Sequence, residues 1–119
     1  MSLGIWRNGG QRQRIAAARC AAVLLAAIVV GAHAADKPVG HVIVIEGVQF
    51  VPDSLTVHPG DKVTWINKDP FPHTVTSPGS FDSHSIASGA SWVYIAAQTG
   101  TYAYTCTLHP NMRGMLHVR

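Results

Sequence analysis

Acidic residues are scarce in this chain, six in 119, and none precedes Asp36. The stretch before it carries Arg7, Arg12, Arg14 and Arg19, an apolar run from Cys20 to Val30, and then Ala32-His33-Ala34. A basic n-region, a short apolar h-region and an Ala-x-Ala site make a cleavable export signal, with cutting expected after Ala34. The apolar run falls short of the ~20 residues that a bilayer-spanning helix needs. No membrane span is therefore expected after cleavage; the alternative is an uncleaved amphipathic anchor. There is no adjacent Arg pair, which excludes a twin-arginine signal, and Cys20 stands in the wrong place for a lipidated cysteine. The expected layout is a signal over 1–34, a linker over 35–40 and one domain over 41–119.

Other absences narrow the class further. The whole chain is +3, but residues 35–119 set five cations (Lys37, Lys62, Lys68, Arg113, Arg119) against six anions (Asp36, Glu46, Asp53, Asp61, Asp69, Asp82), net −1. The basic balance thus belongs to the leader, and no nucleic-acid partner is expected. The two cysteines are Cys20 and Cys106. Export leaves Cys106 alone in an oxidising compartment, with no intramolecular disulfide to form. Helical periodicity of useful length, internal repeats, and Met-rich or His-rich tracts are all missing. A domain this small has a modest core that a bound metal would help to stabilise.

What remains reads as β-structure. His41-Val-Ile-Val-Ile-Glu46 is rich in β-branched residues, and Lys62-Val-Thr-Trp-Ile-Asn67 alternates polar with apolar. Phe50 to Val57, Trp92 to Ile95, Thr101 to Thr105 and Met115 to Arg119 are further extended segments. Turn signals at Pro52-Asp53, His58-Pro-Gly-Asp61, Ser77-Pro-Gly-Ser80 and Gln98-Thr-Gly100 separate them. Residues 81–91, rich in Ser and Gly, are expected to hold little regular structure. The pattern predicts an all-β fold, a Greek-key sandwich or barrel of about 7–9 short strands. Trp65, Trp92, Tyr102 and Tyr104 are expected to pack its core, and His41, His58, His84 and His117 to lie on its surface.

The chemistry concentrates in Cys106-Thr-Leu-His109-Pro-Asn-Met112, which puts a thiolate, an imidazole and a thioether on one loop between two strands. His73, in Asp69-Pro-Phe-Pro-His-Thr74, is the natural fourth donor. Soft sulfur combined with imidazole suits copper, and two His and one Cys with a weak axial Met make a blue-copper set. Cys106 would end one strand, His109 sit at the loop's apex and Met112 return beneath the metal. Pro70, Pro72 and Pro110 restrict φ around both loops. Met115 is a rival axial donor, but the spacing favours Met112 and leaves Met115 to the core.

These stretches resemble the cupredoxins, and within them the plastocyanin/amicyanin group. The resemblance covers nearly all of 41–119 and is strongest over Val63 to His73 and Gly100 to Gly114. The two-residue gap between His109 and Met112 is similar to that of amicyanin. The resemblance implies His73, Cys106, His109 and Met112 as ligands of one copper ion, with the Pro72 carbonyl nearby. Many relatives place Asn after the first His, where it helps to lock the ligand loop; here Thr74 must do that, by bonding to Thr107, or leave the loop looser.

The expected function is that of a periplasmic type 1 copper protein, a monomer, carrying single electrons. Its partners would be redox proteins such as a c-type cytochrome or a periplasmic dehydrogenase. They would dock transiently near His109 on an apolar patch of Phe71, Pro72, Pro110 and Met112. The alternative is copper buffering, delivery or resistance. An enzyme is not expected, because Cys106 and His109 share one tight loop with no evident orienting carboxylate, oxyanion element or cleft. Structural zinc is disfavoured by the thioether.

Overall fold

The computed structural model describes residues 37–119, together with Gly4, 22–24 and 26–28. The expected export signal and its cleavage point after Ala34 therefore fall almost wholly outside the described residues. Among those residues none forms a helix long and apolar enough to cross a membrane.

Nine strands follow in order: β1 Gly40–Ile45, β2 Phe50–Val51, β3 Ser54–Val57, β4 Lys62–Asn67, β5 Thr76–Ser77, β6 Phe81–Asp82, β7 Ser91–Ile95, β8 Gly100–Thr105 and β9 Arg113–Val118. They form two sheets, ordered β2-β1-β4-β7 and β3-β9-β8-β5-β6. Each sheet contains one parallel pair, β1 with β4 and β3 with β9, and the remaining ladders are antiparallel. The all-β expectation holds, at the upper end of the strand count.

Alternation along the strands decides which side chains meet between the sheets. β1 sends in Ile43 and Ile45, β4 sends in Val63, Trp65 and Asn67, and β9 sends in Gly114, Leu116 and Val118. Trp65 sits at the centre, with ring centroids 5.5 Å from Trp92 and 5.5 Å from Tyr104, the latter edge-on at 90°. Such edge-to-face contacts suit the aromatic quadrupole. Trp65 and Tyr104 are buried as expected, while Trp92 and Tyr102 are half-buried against that core.

Two expectations need correction. Residues 81–91 are better ordered than their composition suggests. Phe81 and Ile86 are both buried, and Ile86 pairs with His73 through two backbone bonds of 3.1 and 2.8 Å. Apolar anchors within a polar stretch supply the burial that its average composition hides. Met115 is not in the core; it is half-buried on the outer face of β9, with Arg113 and His117, because strand alternation turns it away from Leu116.

At the far end of β4 from Asn67, a buried carboxylate ties three segments together. Asp61 accepts the N–H of Val39 (2.9 Å), the N–H of His58 (2.9 Å) and a bond from His41 Nε2 (3.0 Å). These bonds, Val39 first, hold the Asp61 carboxyl far below the ordinary value of 3.8. A depressed folded-state value means that its contribution to stability is complete above pH 3.8 and is lost as the pH falls below it. Asp61→Asn is therefore expected to lower Tm at neutral pH. The gap from the parent should narrow as thermal scans move below about pH 4; a gap independent of pH would refute this account.

Candidate metal centre

The end of β4 shapes the first loop of the site. Asn67 is fully buried and donates from Nδ2 to the carbonyls of Phe71 (2.9 Å) and Ile86 (3.0 Å), while its Oδ1 accepts the Asp69 N–H (3.0 Å). A buried amide with both N–H groups and its oxygen bonded to the main chain fixes the backbone around it. The chain consequently turns at 68–72 and delivers His73 into the space between the sheets, with its side chain wholly enclosed.

The second loop closes on itself. His109 N–H bonds to the Cys106 carbonyl (3.3 Å), Met112 N–H to the His109 carbonyl (2.9 Å), and Cys106 N–H to the Met112 carbonyl (3.2 Å). All three bonds thus join two of the three expected donors, so the spacing in sequence becomes a spacing in space. β8 ends one residue before Cys106 and β9 begins one residue after Met112.

The donor atoms converge. Cys106 Sγ lies 3.7 Å from His73 Nδ1 and 3.8 Å from His109 Nδ1, and the three donors all fall within 4.8 Å of one another. A trigonal plane of metal–donor bonds of ~2.1 Å has edges of ~3.6 Å, so the triangle fits one ion without large movement. Cys106 and His73 are fully buried, Met112 is 3% exposed and His109 is half-buried. Around the sulfur, the Thr74 N–H donates to Sγ at 3.3 Å. Thr74 Oγ1 accepts the Thr107 N–H at 2.9 Å and lies 3.2 Å from Thr107 Oγ1. Thr74 thus ties the two loops together through Thr107, the first of its two alternatives.

The family-model comparison matches residues 18–118 to the cupredoxin-like domain. The chain belongs to the cupredoxin family. Amicyanin of Paracoccus versutus is 30% identical over 92 residues, 71% of this chain and 70% of that one. Amicyanin-alpha of Methylorubrum extorquens is 32% identical over 112 residues, 87% of this chain and 94% of that one. Among solved structures, a methionine-to-alanine variant of amicyanin in its Cu(I) form superposes with a TM-score of 0.64 at 30% identity, covering 71% of this chain and 85% of that one. Cupredoxins bind one copper ion, and the buried thiolate, two imidazoles and thioether of this cupredoxin fit that metal.

Two residues of this cupredoxin's site were not singled out from sequence. Asp69 is buried and its Oδ2 lies 2.7 Å from His73 Nε2. Burial opposes its charge, but the N–H groups of Val48 and Gly47 and the His73 ring outweigh that, so its carboxyl titrates below the ordinary value. Asn67 is the other. Its signal was legible: it occupies an inward position of β4 after Val63 and Trp65, where a polar side chain is out of pattern. Asp69 carried no such mark, because it lies on a loop. The expected docking patch also changes. Met112 is buried and takes no part in it, whereas Leu108, the residue before His109, is 53% exposed and Phe71 37%.

Proposed function

We propose that this cupredoxin is a periplasmic one-electron carrier that holds copper through His73 Nδ1, Cys106 Sγ and His109 Nδ1, with Met112 as the axial donor. The observation that carries the proposal is the Cys106–His73–His109 triangle, drawn from the β4–β5 loop, which crosses between the sheets, and the β8–β9 loop. When bound, copper supplies a Cu(I)/Cu(II) couple. The protein's part is to keep the donors from rearranging as the charge changes. Self-bonded loops, the buried Asn67 and the Thr74–Thr107 tie all serve that end.

His109 faces outward, and its ring lies 5.5 Å from that of Phe71. An exposed apolar rim of Phe71, Leu108, Pro72 and Pro110 around a half-buried ligand suits brief encounters, in which rapid release matters more than affinity. We assign a c-type cytochrome or a periplasmic dehydrogenase as partner, docking there. No catalysis is proposed. Cys106, His73 and Asp69 do line up in series as a thiol triad would, so an orienting carboxylate is present after all. Burial, rather than a missing partner, is what keeps the Cys106 thiol from a substrate.

Loading the exported form with Cu(II) tests the reading. An intense thiolate-to-copper visible band, bleached by reductant and restored by oxidant, is expected. Met112→Leu should keep that band and raise the reduction potential, since three remaining donors suit Cu(I) better than Cu(II). A protein that binds Cu(I) tightly but gives no such band would move copper delivery ahead of electron transfer.

A further inference from the structure

The carboxylate of Asp69 is gripped from three directions. Oδ1 accepts the Gly47 N–H at 2.7 Å, and Oδ2 accepts both the Val48 N–H at 2.9 Å and the His73 Nε2–H at 2.7 Å. Gly47 and Val48 have φ of 63° and 59°, a left-handed pair whose successive amides form an anion-binding concavity. A β-branched residue seldom takes that conformation. At Val48 it is what aims the second amide at the carboxylate. Asn67 Oδ1 holds the Asp69 backbone from the remaining side. Little freedom is left for the carboxylate to follow the imidazole. The imidazole must follow the carboxylate.

An ionised carboxylate only accepts hydrogen bonds, so the proton of neutral His73 sits on Nε2 and the lone pair on Nδ1. Nδ1 is the atom 3.7 Å from Cys106 Sγ. A histidine whose other nitrogen donates to a carboxylate is also a more basic donor. A more basic donor stabilises the doubly charged ion over the singly charged one. We infer that Asp69 is a positioning residue of the centre, fixing the His73 tautomer and ring and holding the reduction potential down, an inference that rests on the copper reading above. The Gly47-Val48 turn, distant in sequence from every donor, becomes part of the site through it.

Asp69→Asn removes the charge at nearly constant size. The variant is expected to remain blue, to lose about 10–100-fold in Cu(II) affinity, and to lose less for Cu(I). Each tenfold difference between the two losses raises the potential by about 59 mV. Asp69→Glu, which restores the carboxylate, should return part of that shift. A blue Asp69→Asn protein with an unchanged potential and only a lower Tm would overturn the inference, since a merely structural role predicts that result. If the variant does not fold, the parent decides. In its diamagnetic Cu(I) form, a slowly exchanging His73 Nε2–H proton in the NMR spectrum supports the inference, and free exchange of that proton overturns it. Failure of the copper reading would show separately, as a parent protein with no thiolate band.

Discussion

Cys106→Ser is expected to abolish the visible band of the Cu(II) protein outright, not to weaken it. The band requires a thiolate bound to the ion, and a serine hydroxyl at that position stays protonated and hard. Copper affinity should fall by more than the ~100-fold that loss of an outer partner can cost, because a donor itself is removed. The fold should survive. Cys106 is a free, buried thiol whose sulfur accepts the Thr74 N–H at 3.3 Å, and the serine oxygen can take over that bond. Circular dichroism at room temperature then separates loss of the site from loss of structure. A folded Cys106→Ser protein that still turns blue would refute the assignment of the sulfur donor.

Gly114→Ala should be the most destabilising one-carbon change in the core. Gly114 is buried on β9, directly opposite Tyr104 on β8, and the tyrosine ring lies over it. A Cβ added at Gly114 would penetrate the ring at Cζ and Oη. That ring has nowhere to retreat: its centroid is 4.8 Å from Phe50 and 5.5 Å from Trp65. Overpacking of this kind costs about 1–3 kcal/mol and occasionally more; the severity of the overlap places this case at the upper end. For a domain of this size a loss of about 3 kcal/mol lowers Tm by ~12–24 °C. Gly40→Ala supplies the control, since its added Cβ meets only the Lys62 side chain at 4.0 Å. Equal melting of the two variants would show that the Tyr104 ring does not lie over β9.

Much of this architecture can be read along the chain. β4 was legible to the residue, from Lys62 to Asn67, because Lys62-Val-Thr-Trp65 alternates polar with apolar and the Pro-rich loop after Asn67 ends it. The Cys106–Met112 loop was legible because three uncommon donor types stand within one short turn between clear strands. β6 and the His73–Ile86 bridge were not, since Phe81 and Ile86 are isolated apolar residues in a polar stretch and only their partners reveal them as anchors. The outward turn of Met115 was missed for a related reason. A methionine beside Leu116 in an apolar strand looks like core until the register decides which face is inside.

What the sequence determined by itself was the class of fold, the identity of the four donor candidates and the metal they suit. Strand periodicity and donor chemistry are local properties, carried by residue types at short spacing. The tertiary structure decided whether the donors meet, how far each is from water, and which groups stand behind them. Thr74 beneath the sulfur, Asn67 behind the first loop and Asp69 against His73 all act across chain reversals or across the two sheets. Gly47 and Val48 lie more than twenty residues before the carboxylate that they hold. Hydrogen bonds of that kind depend on distance and direction in space, and neither is encoded in any one short stretch of the chain.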